Sequence, residues 1–494
     1  MNTNVFVKGK TWLLMFLFLF IGVIDARADI ELADDLIITG YVRQMLAYHV
    51  THQNPNNAAQ EDNNWANLSR THFQTELTYR PNVNFKLFAK MRFIWDSTES
   101  LDSELLNYDA FPLSTPHYGT TLRAGHDDNV IAEIWELYAD LDIGRLWLRL
   151  GKQQIAWGEL FGWRVLDIIN PLDMSWHFRF EPEEYENIRI PQWLIRARYK
   201  IEQTAVPWLE DLYIEGFLNP GDIIPNIYPE PYAPYRISPS VVTGPPSVTN
   251  EIDRRGEEEY GFRLGYSIGR VSGTLNYLYL YSDDARVQNV SPPGPPPFTY
   301  ENRYPQIDVY GITLNYAFDA PINVVASFEG KYTDDQPYYV GEPIGSPPSL
   351  PSIEPRGEWN YAIQLQRNTF VFPRPVSAMN ISVQFNQTIV QGDNDTIKST
   401  PAPHGKDTNA VDKRKNLVGL NMQQFWWYNQ IMTSFKVLYD LDGAYSIGAG
   451  FKYRHGDHWY FGIYPSFYGG SNRRPGFGST WWADEIYCRI TYQF

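Results

Sequence analysis

The chain has one cysteine, Cys488, in 494 residues, so no intramolecular disulfide can form and a disulfide-stapled secreted scaffold is excluded. Stability has to come from a backbone ladder and packing. Long apolar runs are also missing: beyond the first few dozen residues nothing approaches the roughly 18 uninterrupted apolar residues of a membrane-crossing helix, although 16% of the residues are aromatic. Positive charge is in deficit, with 41 Lys and Arg against 57 Asp and Glu and a formal charge of −16, which argues against nucleic acid as a partner. There is no Cys/His zinc spacing, phosphate-cradling glycine loop or nucleophile elbow. No catalytic residues, metal or cofactor are therefore expected. His455-Gly456-Asp457-His458 and Asp393-Asn394-Asp395 fall in expected turns, where Asp, Asn and Gly serve the backbone.

What is present starts with an export signal. Lys8 and Lys10 precede an apolar run from Trp12 to Ile24, and Ala26-Arg27-Ala28 follows, the charged, apolar and small-residue order of a cleaved secretory peptide. Residues 1–28 are expected to be removed. The cut takes Lys8, Lys10 and Arg27 with Asp25, a net +2, and leaves −18 on residues 29–494.

The rest alternates. Thr71, Phe73, Thr75, Leu77 and Tyr79 interleave with Arg70, His72, Gln74, Glu76 and Arg80. After Pro81–Asn84, Phe85, Leu87, Ala89, Met91, Phe93 and Trp95 interleave with Lys86, Lys90, Arg92 and Asp96. That is a hairpin of two strands, each longer than the about 9–11 tilted residues that cross a bilayer. Similar segments recur from Leu36–Val50 to Ala483–Phe494, among them Leu146–Trp157, Pro191–Ile201, Asn416–Gln424, Tyr428–Tyr439 and Trp459–Tyr468. The expected fold is all-β: one transmembrane antiparallel up-and-down barrel of about 18 strands over residues 29–494. Sixteen strands is the alternative, because Asn416–Gln424 is poorly patterned and Pro465 interrupts Trp459–Tyr468. Tight turns such as Asp142–Arg145, Gly269-Arg270, Asp319–Pro321 and His455–His458 alternate with long links, the asymmetry of short periplasmic turns and long outer loops. Aromatic clusters at Phe425–Tyr428 and Trp481-Trp482 are expected to anchor the two interfaces. Ile486, Cys488, Ile490, Tyr492 and Phe494 share one face of the last strand. This strand resembles the terminal strand of outer-membrane barrels, whose final phenylalanine is a signal to the barrel-assembly machinery. The expected surroundings are outer-membrane lipid in the bacterial outer membrane.

With the apolar faces to lipid, the other faces line a lumen. These carry Arg70, Lys86, Lys90, Arg92, Arg149, Arg196, Arg198, Lys200, Arg263, Lys452 and Arg454, with fewer acids, among them Glu76, Glu136, Asp140, Glu215 and Glu329. Basic rings favour anions; equally, these charges can pair across strands and only keep the interior wet. A second distinctive stretch is Gly151-Lys152-Gln153-Gln154 with Trp157-Gly158-Glu159, then Asp167 and Asn170-Pro171-Leu172-Asp173, then Arg189 and Pro191. These about 40 residues resemble an uncharacterised outer-membrane barrel family, domain of unknown function 1302, and the chain is more loosely similar to alginate-export-type barrels. The resemblance implies a barrel that moves lipid-like or polymeric material. The stretch from Leu160 to Ile169 has no period of two, and Pro171 would end a helical turn. Residues 159–187 are therefore expected to fold into the lumen as a constriction, with Glu159, Asp167, Asn170, Pro171 and Asp173 fixing the loop; a loop packed over the outer mouth is the alternative. The function expected is passive or gated transport of a small polar or polymeric, anionic solute. A structural or adhesive barrel binding a partner through its outer loops is the second reading; a soluble secreted β-protein or a barrel enzyme ranks below both.

Overall fold

The computed structural model describes residues 30–50, 66–98, 122–160 without 128, 164–174, 185–221 without 203–205 and 207, 224–227, 248–249, 258–289 without 284–285, 300–341, 352–392 without 373–376, 397–398, 411–471 and 477–494. The expected signal peptide and Asp393-Asn394-Asp395 lie outside the described residues.

Among the described residues, twenty-one strands share one sheet. Three short ones (Ile30–Ala33, Leu122–Asp127, Ile397–Lys398) only extend the edges of longer neighbours. The other eighteen form a closed antiparallel barrel: β1 (Leu36–His49), β2 (Ala66–Asn82), β3 (Phe85–Asp96), β4 (Val130–Ile143), β5 (Leu146–Gln153), β6 (Gln192–Ile201), β7 (Glu210–Asn219), β8 (Glu259–Ile268) and β9 (Val271–Tyr281) make one half. The other half is β10 (Gln306–Phe318), β11 (Val324–Val340), β12 (Ser352–Thr369), β13 (Met379–Val390), β14 (Arg414–Trp426), β15 (Ile431–Asp440), β16 (Ala444–His455), β17 (Trp459–Gly470) and β18 (Glu485–Gln493). Each strand pairs with its successor, and β18 returns to β1 in register from Tyr41↔Gln493 to His49↔Glu485. The count is eighteen, not sixteen. Strand β17 runs through Pro465, which keeps its partner Ile486 on β18. Its ladder to β16 is interrupted there, between Gly448↔Ser466 and Phe451↔Ile463, as a residue without an N–H requires.

The two faces separate as the alternation dictates. On β6, Ile195 and Tyr199 are 43% and 46% exposed while Leu194, on the opposite face, is buried. Large apolar side chains such as Phe262, Tyr310, Trp359, Phe451 and Ile463 lie exposed on the outside. A closed ladder with an apolar exterior is the form a spanning sheet needs, since an edge in lipid would leave N–H and C=O groups unpaired.

Several boundaries differ from the sequence reading. Strand β5 stops at Gln153, not Trp157, and Gly151 adopts φ +130°, which breaks the alternation. Trp427, Tyr428 and Asn429 are left-handed and form the turn, so β15 begins at Ile431. The short-turn pattern has an exception at the opposite end, where only Leu441–Gly443 join β15 to β16. Ser352–Pro355 belongs to β12 despite its proline and faces Pro337–Val340. Trp482 is fully buried, 5.8 Å from His49, so it does not anchor an interface; Tyr310 and Trp359 are half exposed on the outer wall, and Trp427 and Tyr428 are exposed at the short-turn end.

The seam that closes the ring is tight. Gly40 and Phe494 exchange two backbone hydrogen bonds of 2.9 Å, and a Cβ at Gly40 would stand 2.3 Å from the Gln74 carbonyl oxygen and 2.8 Å from the Phe494 ring. Gly40→Ala is expected to destabilise the folded barrel by about 1–3 kcal/mol through overpacking. The check is the urea midpoint of heat-modifiable migration in detergent; an unchanged midpoint would show that the seam has slack.

Candidate functional site

Register fixes which side chains share the interior. Arg43, His72, Gln74 and Arg92 face in from β1–β3, and Arg149, Arg196, Glu215 and Arg263 from β5–β8. On β9–β14 the inward rows are mostly hydroxyls and amides: Thr274, Asn276, Thr313, Asn360, Gln364, Gln384, Asn386 and Asn421. Charge is thus concentrated on one wall. Buried charge is tolerated only when paired and hydrogen-bonded, and that is how most of it is held.

Arg70 binds Asp96 through Nε and Nη2 at 3.0 and 2.8 Å, both fully buried. Lys86 and Arg149 share Asp140, at 2.8 Å and through a forked pair of 2.6 and 3.0 Å, and the Arg149 guanidinium lies 3.8 Å from the centre of the Tyr138 ring. Lys90 sits among Glu136, Glu76 and Glu186 at 3.1, 3.2 and 3.5 Å. Arg92 binds Glu133 and stacks 3.3 Å above Trp135. Arg196 and Arg263 both reach Glu215, at 2.7 and 3.3 Å. Lys452 lies 5.3 Å over Tyr460, and Arg454 stands opposite Tyr460 across the β16–β17 pair. Arg198 and Lys200 differ. Among the described residues neither has a carboxylate partner; the Arg198 guanidinium lies between Trp147 and Tyr213, 5.8 and 5.7 Å from their centres, within cation–π range, and Lys200 is exposed.

The connection between β5 and β6 makes contacts far from its roots. Trp157 donates Nε1 to Glu215 at 2.8 Å and packs with Phe217, Leu278 and Val309 of β7, β9 and β10. Farther round the wall, Glu329 of β11 accepts the backbone N–H groups of Glu159, of Leu160 at 3.0 Å and of Leu166 at 3.3 Å. Val165 and Leu166 cover Ala362 of β12, and the Glu159 carboxylate accepts from Asn315 of β10. In the opposite direction a single helical turn, α1 (Tyr185–Ile188), places Ile188, which is fully buried, against Met45, Leu68, Ile94, Tyr464 and Tyr487 of β1, β2, β3, β17 and β18. Segment residues thus touch inward faces on both sides of the barrel.

The predicted loop residues organise the middle of this segment. Asn170 accepts the Ile155 N–H at 2.7 Å and donates to the Ile190 carbonyl at 2.8 Å, tying the outgoing and returning chains together. The Pro171 carbonyl takes the Ile190 N–H and the Asp173 N–H reaches Ile188. Asp167 pairs with Arg164 at 3.0 Å and with Arg189. The sequence reading missed Glu133, Trp135 and Lys152 as interior groups. A bulge in β4 opposite Lys90 and Met91 turns both Trp135 and Glu136 inward, and Gly151 does the same for Lys152, which is fully buried; strict alternation carries no sign of either. Among the described residues no three His, Cys, Asp or Glu side chains could together hold a metal ion. Asn170→Ala removes the two backbone ties and is expected to weaken the segment by about 2 kcal/mol at roughly 1 per hydrogen bond. Limited proteolysis between residues 154 and 191 should then accelerate while heat-modifiable migration of the barrel stays unchanged; equal proteolysis rates would remove Asn170 from this role.

Among solved structures the chain is similar to OmpF of Salmonella typhi, in its complex with daunomycin, at 12% identity and a TM-score of 0.43, covering 94% of this chain and 100% of that one. OccAB4 of Acinetobacter baumannii aligns at 9% identity and a TM-score of 0.47 over 94% and 99%, and OccK5 of Pseudomonas aeruginosa at 8% and 0.44 over 93% and 98%. No curated protein sequence matches the chain. One family model does, across residues 40–494, from the first strand to the last residue. The chain belongs to that family, described as "Protein of unknown function (DUF1302)".

Proposed function

We propose that the protein is a bacterial outer-membrane channel, short turns in the periplasm, that passes polar anionic solutes past a constriction made by the β5–β6 segment, of which Glu159, Leu160, Arg164–Met174 and Tyr185–Asn187 are described. The exterior supports the membrane setting: closed hydrogen bonding with an apolar outer wall suits lipid. The final strand, ending at Phe494, supports recognition by the barrel-assembly machinery. No curated relative points to a reaction, and the reading is of a conduit, not an enzyme.

The observation that carries anion preference is the imbalance among the cations of β5 and β6 and the acids they meet on β4 and β7. Arg149, Arg196, Arg198 and Lys200 face in together against Asp140 and Glu215, and Asp140 also serves Lys86 while Glu215 also serves Arg263. Arg198 and Lys200 keep their full field for whatever passes, and a low-dielectric wall focuses it. Solutes with carboxylate or phosphate groups, single or on a polymer, fit that wall.

The test is reversal potential under a salt gradient in a planar bilayer. The refolded protein is expected to prefer anions, and Arg198→Glu with Lys200→Glu to move the reversal potential toward cations without loss of folding, the shift shrinking at high salt as screening shortens. Unchanged selectivity in the double variant would take these two side chains out of the conducting path. A folded barrel with no conductance would instead favour a structural role.

A further inference from the structure

Glu329 is 1% exposed and inward-facing in the middle of β11. Among the described residues it has no Lys or Arg partner. Its carboxylate is met only by N–H groups of the segment: Glu159 and Leu160 on Oε1, Leu166 on Oε2. The other interior acids described above all have cations: Asp96, Glu133, Asp140, Asp167 and Glu215 each hold an arginine or lysine. A carboxylate at that burial needs its charge stabilised, and here the donors are backbone N–H groups of a segment rooted on other strands, β5 and β6.

The segment is therefore fastened unequally. Its roots have many ties: Asn170 to Ile155 and Ile190, Gln153 to Leu194 at 3.0 Å, Trp157 to Glu215, Glu186 to Lys90, and Ile188 in its cluster. Its far end is held by one anion, with Leu166 seated over Gly311, whose missing side chain leaves that space; a Cβ there would be 2.4 Å from the Leu166 side chain. We infer that Glu329 is a proton-sensitive latch for the constriction: ionised, it holds Glu159, Leu160 and Leu166 against β10–β12, and protonated, it lets them go. This rests on the channel reading above and adds the regulation of the same site.

The direction follows from the bonds. A carboxylate accepts charge-assisted hydrogen bonds on both oxygens, and protonation turns one oxygen into a donor that faces N–H groups it cannot serve. The latch is present at neutral pH and is lost as pH falls. The charged groups around it do not reverse this. Glu159 is the nearest, its own carboxylate on Asn315; Lys331 lies two residues on along the same face; Arg164 and Arg189 are engaged with Asp167. The direct cross-strand neighbours, Thr313 and Ala362, do not titrate.

The test needs a readout separate from conductance. Leu166 is buried, so Leu166→Cys in a Cys488→Ser background of the full refolded chain reports release of the far end as reactivity toward a small maleimide. Acidifying through the carboxylate range, with brief labelling after return to neutral pH as control for thiolate chemistry, is replaced more simply by Glu329→Gln at neutral pH. That change is expected to raise the labelling rate about tenfold or more, from the loss of charge-assisted bonds each worth roughly twice a neutral one, and to raise open time in bilayers, with its acid dependence gone. A folded Glu329→Gln barrel in which the thiol stays as protected as before overturns the latch even if it conducts. Faster labelling with no conductance keeps the latch and sinks the channel. Should Glu329→Gln not fold, Glu329→Asp, which keeps the charge but withdraws it by one methylene, replaces it: increased labelling supports the latch, and unchanged labelling overturns it.

Discussion

A chain that crosses a bilayer as strands cannot leave a backbone N–H or C=O unpaired in hydrocarbon, and every other feature of this protein depends on meeting that condition. Closure of β18 on β1 removes the last edge. Once the ring is closed, side-chain direction is no longer free: alternate residues must point to lipid or to the interior. The seam is built with little room, glycine at position 40 beside the ring of Phe494, because the last residue both ends the ladder and completes its outer wall.

The same alternation forces polar groups inward, where they face each other at short range. On β1–β8 they are charged and resolve into pairs that cross strands, Arg70 with Asp96, Arg92 with Glu133, Arg196 and Arg263 with Glu215. On β9–β14 amides and hydroxyls bond to one another, as Asn386 does to Asn360 at 3.0 Å and Thr274 to Thr313 at 2.9 Å. The β5–β6 segment uses both walls. It gives Trp157 to the charged side through Glu215 and its backbone N–H groups to Glu329 on the neutral side. Pairing of this kind is costly to break from one side, which is why the described parts of a segment outside the sheet are held in place.

The exceptions to pairing carry the functional reading. Among the described residues Arg198 and Lys200 lack carboxylate partners, where Arg196, two residues before Arg198 on the same face, has one. The reason is geometric: Glu215 stands directly across from Arg198 in register, yet its oxygens are taken by Arg196, Arg263 and Trp157. The wall is left with cations in excess although the chain as a whole is acidic.

Much of this was legible in the sequence. Period-two alternation, set by the pleat itself, gave about eighteen strands with sixteen left open, the inward placement of Arg70, Lys90, Arg196 and Arg198, and the apolar exterior. The break in that period between Leu160 and Ile169 marked the segment that leaves the wall. What alternation could not contain is any local departure from it: the β4 bulge that turns both Trp135 and Glu136 inward, Gly151 resetting β5, the left-handed turn at Trp427–Asn429, the burial of Trp482. Partnership was equally out of reach, because Glu329 and Leu166 are 163 residues apart in sequence. Composition and period fix which face a residue takes, since those depend on near neighbours along the chain. Which cation each acid holds, and which acid holds none, depends on closing the ring and was decided only by the tertiary structure.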